Sequence, residues 1–168
     1  MTDFPMRNAT APRRMIGLVL GCISWMGAAA RVFAPLTARL ALGVPFFKSG
    51  LTRWDGWFQL SDSTVFLFQE MFKLHIFGSE YGLPMPGITA FIVGVAEITL
   101  PVFLILGLGT RLAALALLVM TGVIQLIVPE GWANFHLPWA ALALSIIAMG
   151  PGSISVDNFV KKFFAGKV

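Results

Sequence analysis

Between Gly87 and Leu108 the chain reads GITAFIVGVAEITLPVFLILGL, apolar apart from two threonines and one carboxylate, Glu97. At about 1.5 Å of rise per residue, a helix over this run crosses the roughly 30 Å hydrocarbon core of a bilayer, with Glu97 near its midpoint. Pro101, four residues on, lacks an amide hydrogen and crowds the carbonyl of residue 97, so both side chain and backbone of Glu97 need partners. An intramembrane acid costs about 2.5 to 3.5 kcal/mol on insertion scales, and such residues as a rule face a bundle interior or a wet cavity.

The rest of the chain agrees with a membrane setting. Of its 168 residues, 57% are hydrophobic and 12% charged, against roughly 25% charged in soluble domains. The basic residues sit at the ends of apolar runs rather than in a stripe interleaved with surface aromatics, which argues against nucleic acid despite a pI near 9.7. Cys22 is the only cysteine, so there is no disulfide framework and no thiolate metal site; His75 and His136 are far apart and no metal is expected. Gly107 and Gly109 in LGLGTR lack the strand and downstream acid of a dinucleotide fold.

Residues 1–14, with two prolines and three arginines, read as a disordered cytoplasmic tail. Residues 15–34 form an apolar segment whose Ala28, Ala29 and Ala30 superficially resemble a signal-peptide cleavage site; we expect it to be retained. As one helix, Met15–Trp54 would be about 60 Å long, so a break near Arg31 to Pro35 is expected. Charge counting decides whether 15–30 crosses the bilayer. If it does not, four spans put Arg7, Arg13, Arg14, Arg31, Arg111, Lys161, Lys162 and Lys167 on one side and Arg53 and Lys73 on the other, eight against two; five spans give five against five. The positive-inside rule prefers four spans, both termini cytoplasmic, and the first segment interfacial or packed on the bundle.

The expected fold is therefore all-α: an integral membrane four-helix bundle over residues 35–155 with spans at about 36–54, 87–108, 111–128 and 135–149. A short turn at Gly109 makes the second and third spans an antiparallel hairpin. The first external loop, 55–86, holds an amphipathic helix capped by Asp62 or Ser63, with Val65, Phe68, Met71 or Phe72 and Ile76 on one face, lying on or dipping into the bundle mouth. Residues 156–168 form an amphipathic basic tail on the cytoplasmic leaflet.

Strongly polar groups at membrane depth are few: Arg39, Lys48, Glu97, Gln125 and, at the entrance of the fourth span, His136. Lys48 and Glu97 reach similar depths and are expected to pair. Arg39 lies a turn inside the boundary and is expected to snorkel outward; its nine-residue offset from Lys48 points it to the opposite side. Gln125 reads as interhelical glue or a pocket donor, and His136 as an interfacial or functional histidine. A buried ion pair that merely fixes helix register is the structural alternative for Lys48 and Glu97. Together these groups would line a polar pocket in the outward half of the bundle.

The ordered segments ARLALGVPFFKSGLTRWDGW, FLFQEMF, SEYGLPMPG, AEITLPVFLILGLGTRLAALALLVMT, HLPWAALAL and GPGSISVD resemble the DoxX family over about Arg39 to Asp157. The resemblance implies a four-helix bacterial inner-membrane protein, and relatives include the membrane subunit of a thiosulfate:quinone oxidoreductase and a component of a mycobacterial redox-stress complex. It also implies that Arg39, Lys48, Arg53, Glu80, Tyr81, Glu97, Arg111 and His136 occupy the polar motif positions. KLHIFGS before Glu80 lengthens the loop, and the segment up to Ala30 has no counterpart in the motif. The function so expected is a redox or quinone-linked membrane subunit with partner proteins, in which Glu97 and Lys48 are catalytic and His136, Gln125, Tyr81 and Glu80 bind ligand. Arg39, Arg53, Arg111 and Pro101 shape fold and topology. The competing expectation is a non-catalytic scaffold that recruits partner proteins; solute export is weaker, for want of an inverted repeat.

Overall fold

The structure, a computed structural model, describes residues 10–165. Residues 1–9 of the expected tail, and 166–168 at the other terminus, lie outside the described residues. The elements run α1 (Thr10–Leu51), β1 (Trp54–Gly56), β2 (Gln59–Leu60), α2 (Asp62–Phe66), β3 (Lys73–Ile76), β4 (Ser79–Gly82), α3 (Pro86–Leu106), α4 (Thr110–Ile127), α5 (Leu137–Met149) and α6 (Val156–Ala165). Among the described residues, four helical stretches are long and apolar enough to cross a membrane: Met15–Leu51, Pro86–Leu106, Thr110–Ile127 and Pro129–Met149. The chain is an all-α membrane protein with two small hairpins.

Two expectations about the first helix are corrected. No break occurs at Arg31 to Pro35: α1 continues for 42 residues with Pro35 and Pro45 inside it, and Thr10 to Arg14 already belong to it. Neighbouring side chains supply polar contacts around the proline. The Thr37 hydroxyl donates to the carbonyls of Phe33 and Ala34 at 3.1 and 3.0 Å, and Arg39 Nε donates to that of Pro35 at 3.2 Å. Nor does the segment before Pro35 pack on the bundle, because Met15, Leu18, Trp25 and Phe33 are all exposed.

From Pro35 onward α1 packs against α3 and α5. Leu42 and Phe46 join Leu104, Ala113, Ala114, Leu117, Ala143 and Ile146 in the buried core. Glycines bring the backbones together. A Cβ built on Gly43 would lie 3.0 Å from Ile105, one on Gly94 2.8 Å from the Trp54 ring, and one on Gly50 2.8 Å from the carbonyl carbon and oxygen of Glu97. That carbonyl is the one Pro101 releases, and α1 closes over it.

The α3–α4 hairpin follows the expected form. Gly107 (φ 74°) and Gly109 (φ 55°) take the left-handed conformation, and the amides of Gly107 and Leu108 bond the carbonyls of Leu104 and Phe103, closing α3. In the fourth span Pro138 sits in the first turn of α5, where a missing amide costs least.

The long loop departs from its reading. The cap is Ser61, whose hydroxyl accepts from the Thr64 amide at 3.2 Å, and the helix widens into a π turn over Leu67–Met71 and then stops. Ile76, expected on its apolar face, lies instead in β3, which pairs with β4 through a turn at Phe77 and Gly78. The loop as a whole folds back over the bundle, burying Phe68.

Candidate functional site

The inner face of α1 carries Arg39, Leu42, Phe46 and Ser49 at alternating spacings of three and four residues, and the turn that follows the helix puts Arg53 on the same side. Glu97, 2% exposed at the middle of α3, faces the upper end of that stripe. Arg53 Nε meets Glu97 Oε2 at 2.9 Å and Nη2 meets Oε1 at 3.1 Å, a bidentate fork; Ser49 Oγ donates to Oε2 at 3.3 Å. The planar guanidinium matches both carboxylate oxygens, which a lysine ammonium does not. Above it the Phe68 ring centroid lies 5.3 Å from the guanidinium carbon, a cation–π contact that shields the pair from the loop side.

Lys48 is thus not the partner of Glu97. It is exposed, on the side of α1 shared with Val44 and Leu51. The two residues match in depth, but side-chain direction follows the 100° step of the helix, and the face inward at Arg39 is inward again at Arg53. By the same step Arg39 does not snorkel. It is 1% exposed, donating from Nη1 to the Ile105 carbonyl at 3.3 Å and from Nη2 to the Ile154 carbonyl.

Beside the Arg53–Glu97 pair is a cavity of about 200 Å³ whose walls are almost wholly apolar, with Phe46 and Ser49 of α1, Phe68 of the π turn, Val93 of α3, Met120 of α4 and Trp139 of α5 among its lining. The polar groups at its wall are Arg53, Glu97, Ser49 and Thr89. Of the guanidinium's donors, Nη1 bonds nothing among the described residues.

The expected ligand residues divide into separate groups. Gln125 and His136 meet each other, Oε1 to Nδ1 at 2.6 Å, while Gln125 Nε2 donates to the Pro129 carbonyl at 3.1 Å. His136 is 3% exposed and packs at 5.7 Å from the Trp139 ring, so it reaches the cavity only through Trp139. Gly131 makes room for its imidazole, since a Cβ there would lie 2.6 Å from Cε1. Glu80 and Tyr81 are on β4, outside the cavity. Glu80 pairs with His75 at 3.6 Å, and His75 Nδ1 lies 3.1 Å from the Leu126 carbonyl, tying this hairpin to α4. Tyr81 stands opposite Leu74 and is exposed.

A second polar cluster closes the opposite end of the bundle. Asp157 accepts from the amides of Gly109 and Thr110 at 2.8 and 2.9 Å and from the Thr110 hydroxyl at 2.8 Å. Burial works against its charge, yet these bonds and the Arg39 charge together hold its carboxyl below the usual carboxylate range. Arg39 thus meets a terminal carbonyl of α3 while Asp157 caps α4. Gly107 must be glycine here, because a Cβ would run into Arg39 Nη1 and Ser155.

Residue reasoning missed Ser49, Phe68 and Trp139. The spacing from Arg39 through Phe46 to Arg53 contained the signal for Ser49. Nothing in sequence spacing brings the loop residue Phe68 onto Arg53. Among the described residues no group of three or more histidine, cysteine, aspartate or glutamate side chains is placed to hold a metal ion. No curated protein and no solved structure matches the chain. Residues 34–130 match the DoxX family. That stretch covers more than half the chain and contains Arg39, both partners of the buried ion pair and the glycine turn, so this multi-pass membrane protein belongs to the DoxX family.

Proposed function

We propose that the chain is the membrane subunit of a redox or quinone-linked system, and that it holds the head of an amphiphile in the cavity beside Arg53 and Glu97. The observation that carries this reading is the buried bidentate pair at the wall of an otherwise apolar cavity. A charge pair at membrane depth is costly and as a rule functional, and a few convergent polar groups in an apolar pocket are the usual form of a small-molecule site. A volume of about 200 Å³ suits one small ring or headgroup, with any tail left outside.

A quinone fits this site: Arg53 Nη1 offers a hydrogen bond to a ring oxygen, and Phe68 and Trp139 offer aromatic faces. Arg53 replaces Lys48 as the cationic donor, while His136 supports Trp139 rather than touching the ligand. A bound quinone would supply the electron acceptor, the electrons coming from a partner protein. Glu97 is the group at the site able to take or release a proton, and Ser49 orients it. The site would lie in the outward half of an inner-membrane bundle with both termini cytoplasmic, the side favoured by the charge count.

The test is purification in native lipid followed by extraction and quantitation of quinone. Wild type and Lys48→Met are expected to retain it and Arg53→Met to lose most of it. Equal, near-zero quinone in all three would refute the reading. The scaffold reading has its own support in the exposed aromatics Trp57 and Phe77 at the two hairpin turns. It predicts stoichiometric crosslinked partners whose capture is unaffected by Arg53→Met.

A further inference from the structure

At the end of the bundle away from the cavity, an open groove of about 480 Å³ runs between the start of α4, the α5–α6 connection and the first turns of α6. Its lining includes Arg111, Pro151, Asp157, Asn158 and Lys161. The acid among them is fully engaged: both carboxylate oxygens of Asp157 accept from Gly109 and Thr110. Asn158 is engaged too, its Nδ2 donating to the Ser153 carbonyl at 2.9 Å. Arg111 and Lys161 are not. Neither makes a hydrogen bond or ion pair among the described residues.

The geometry around these two cations points to what they bind. Arg111 lies in the first turn of a membrane-spanning helix, where headgroups meet the protein. The same bonds that satisfy Asp157 fix α6 beside that helix start, which brings Lys161 to the groove and leaves Phe159, Val160 and Phe164 exposed on α6. Two unpaired cations in a groove, flanked by an anchored amphipathic helix at the level where a span begins, match a ligand with an anionic head and apolar chains. We propose that this groove binds the phosphate of an anionic phospholipid, with Arg111 and Lys161 as its cationic contacts and the apolar side chains of α6 against its acyl region. The inference does not rest on the cavity beside Glu97.

The full chain in nanodiscs of phosphatidylcholine doped with phosphatidylglycerol tests it, with native mass spectrometry counting the lipids retained. Wild type is expected to retain phosphatidylglycerol over phosphatidylcholine. Arg111→Gln and Lys161→Gln should each weaken retention about fivefold, and the double variant about 25-fold, from the contribution of one cation near a membrane surface. Lys162→Gln removes the same charge from the same helix but does not line the groove, and should weaken retention clearly less than Lys161→Gln does. An equal loss with Lys162→Gln, or no preference for the anionic lipid, would overturn the proposal. A second arm adds inorganic phosphate to phosphatidylcholine-only discs and follows thermal stability. No saturable stabilisation is expected; stabilisation that the double variant abolishes would assign the groove to a soluble anion and overturn the lipid assignment.

Discussion

Replacing Arg53 by methionine removes the counter-charge of a carboxylate that is 2% exposed. Glu97 then keeps only the 3.3 Å bond from Ser49. Breaking a buried pair from one side costs about 3 to 5 kcal/mol, most of it the unpaired charge left behind. For a chain of this size each kcal/mol corresponds to about 2 to 4 °C in melting temperature, so Arg53→Met should melt about 6 to 20 °C below wild type. Lys48→Met, on the exposed side of the same helix, should stay within about 0.5 kcal/mol of wild type. Arg53→Met combined with Glu97→Gln removes the stranded charge and should recover much of the loss. Thermal unfolding in one detergent, followed by size-exclusion chromatography after heating, measures all three. A Lys48→Met loss as large as that of Arg53→Met, or a double variant no better than the single, would refute the pairing.

Gly50→Ala should destabilise by about 1 to 3 kcal/mol, since its Cβ would meet the Glu97 backbone, which cannot rotate away; Gly122→Ala, whose Cβ meets nothing within 4 Å, should be neutral or slightly stabilising in the same melts. Gln125→Leu should cost about 1 to 3 kcal/mol by leaving the buried His136 Nδ1 without its partner, and should lower ligand retention less than Arg53→Met does. Asp157→Asn should weaken the cap of α4 by about 1 kcal/mol. Because the folded carboxyl of Asp157 titrates below its unfolded value of about 3.9, its contribution is complete above that pH and is lost as pH falls through the folded value. The gap between wild type and Asp157→Asn should therefore be flat from about pH 8 to 5 and close only in stronger acid.

How much of this was legible in the sequence depended on the range of the interactions. Apolar length and glycine turns are local, so the last three spans and the α3–α4 hairpin were readable to within a few residues. The carboxylate at mid-span could be singled out because its cost in lipid is intrinsic to the residue. Its partner could not be fixed by depth alone: Lys48 and Arg53 both reach Glu97 in height, and the choice turned on which face of α1 is inward. Leu42, Phe46 and the glycines at 43 and 50 decide that face, yet each is unremarkable in a run where nearly every side chain is apolar. The unbroken α1 was illegible for a related reason, since a proline's local preference to end a helix is set against packing on α3 and α5 that exists only once the bundle is built. The hairpins were hidden by unusual turn residues. Phe58 and Phe77 take positive φ values of 56° and 50°, where glycine or asparagine is the normal signal.

Photoaffinity labelling with a photoreactive quinone in native membranes, with labelled peptides mapped by mass spectrometry, asks whether an amphiphile head sits against Arg53 and Glu97. Label is expected on cavity residues such as Met120, Phe68 and Trp139, displaced by unlabelled quinone and absent in Arg53→Met. Label confined to the lipid-facing groove at Trp57, Val95 and Ile98, or undiminished in Arg53→Met, would contradict that placement.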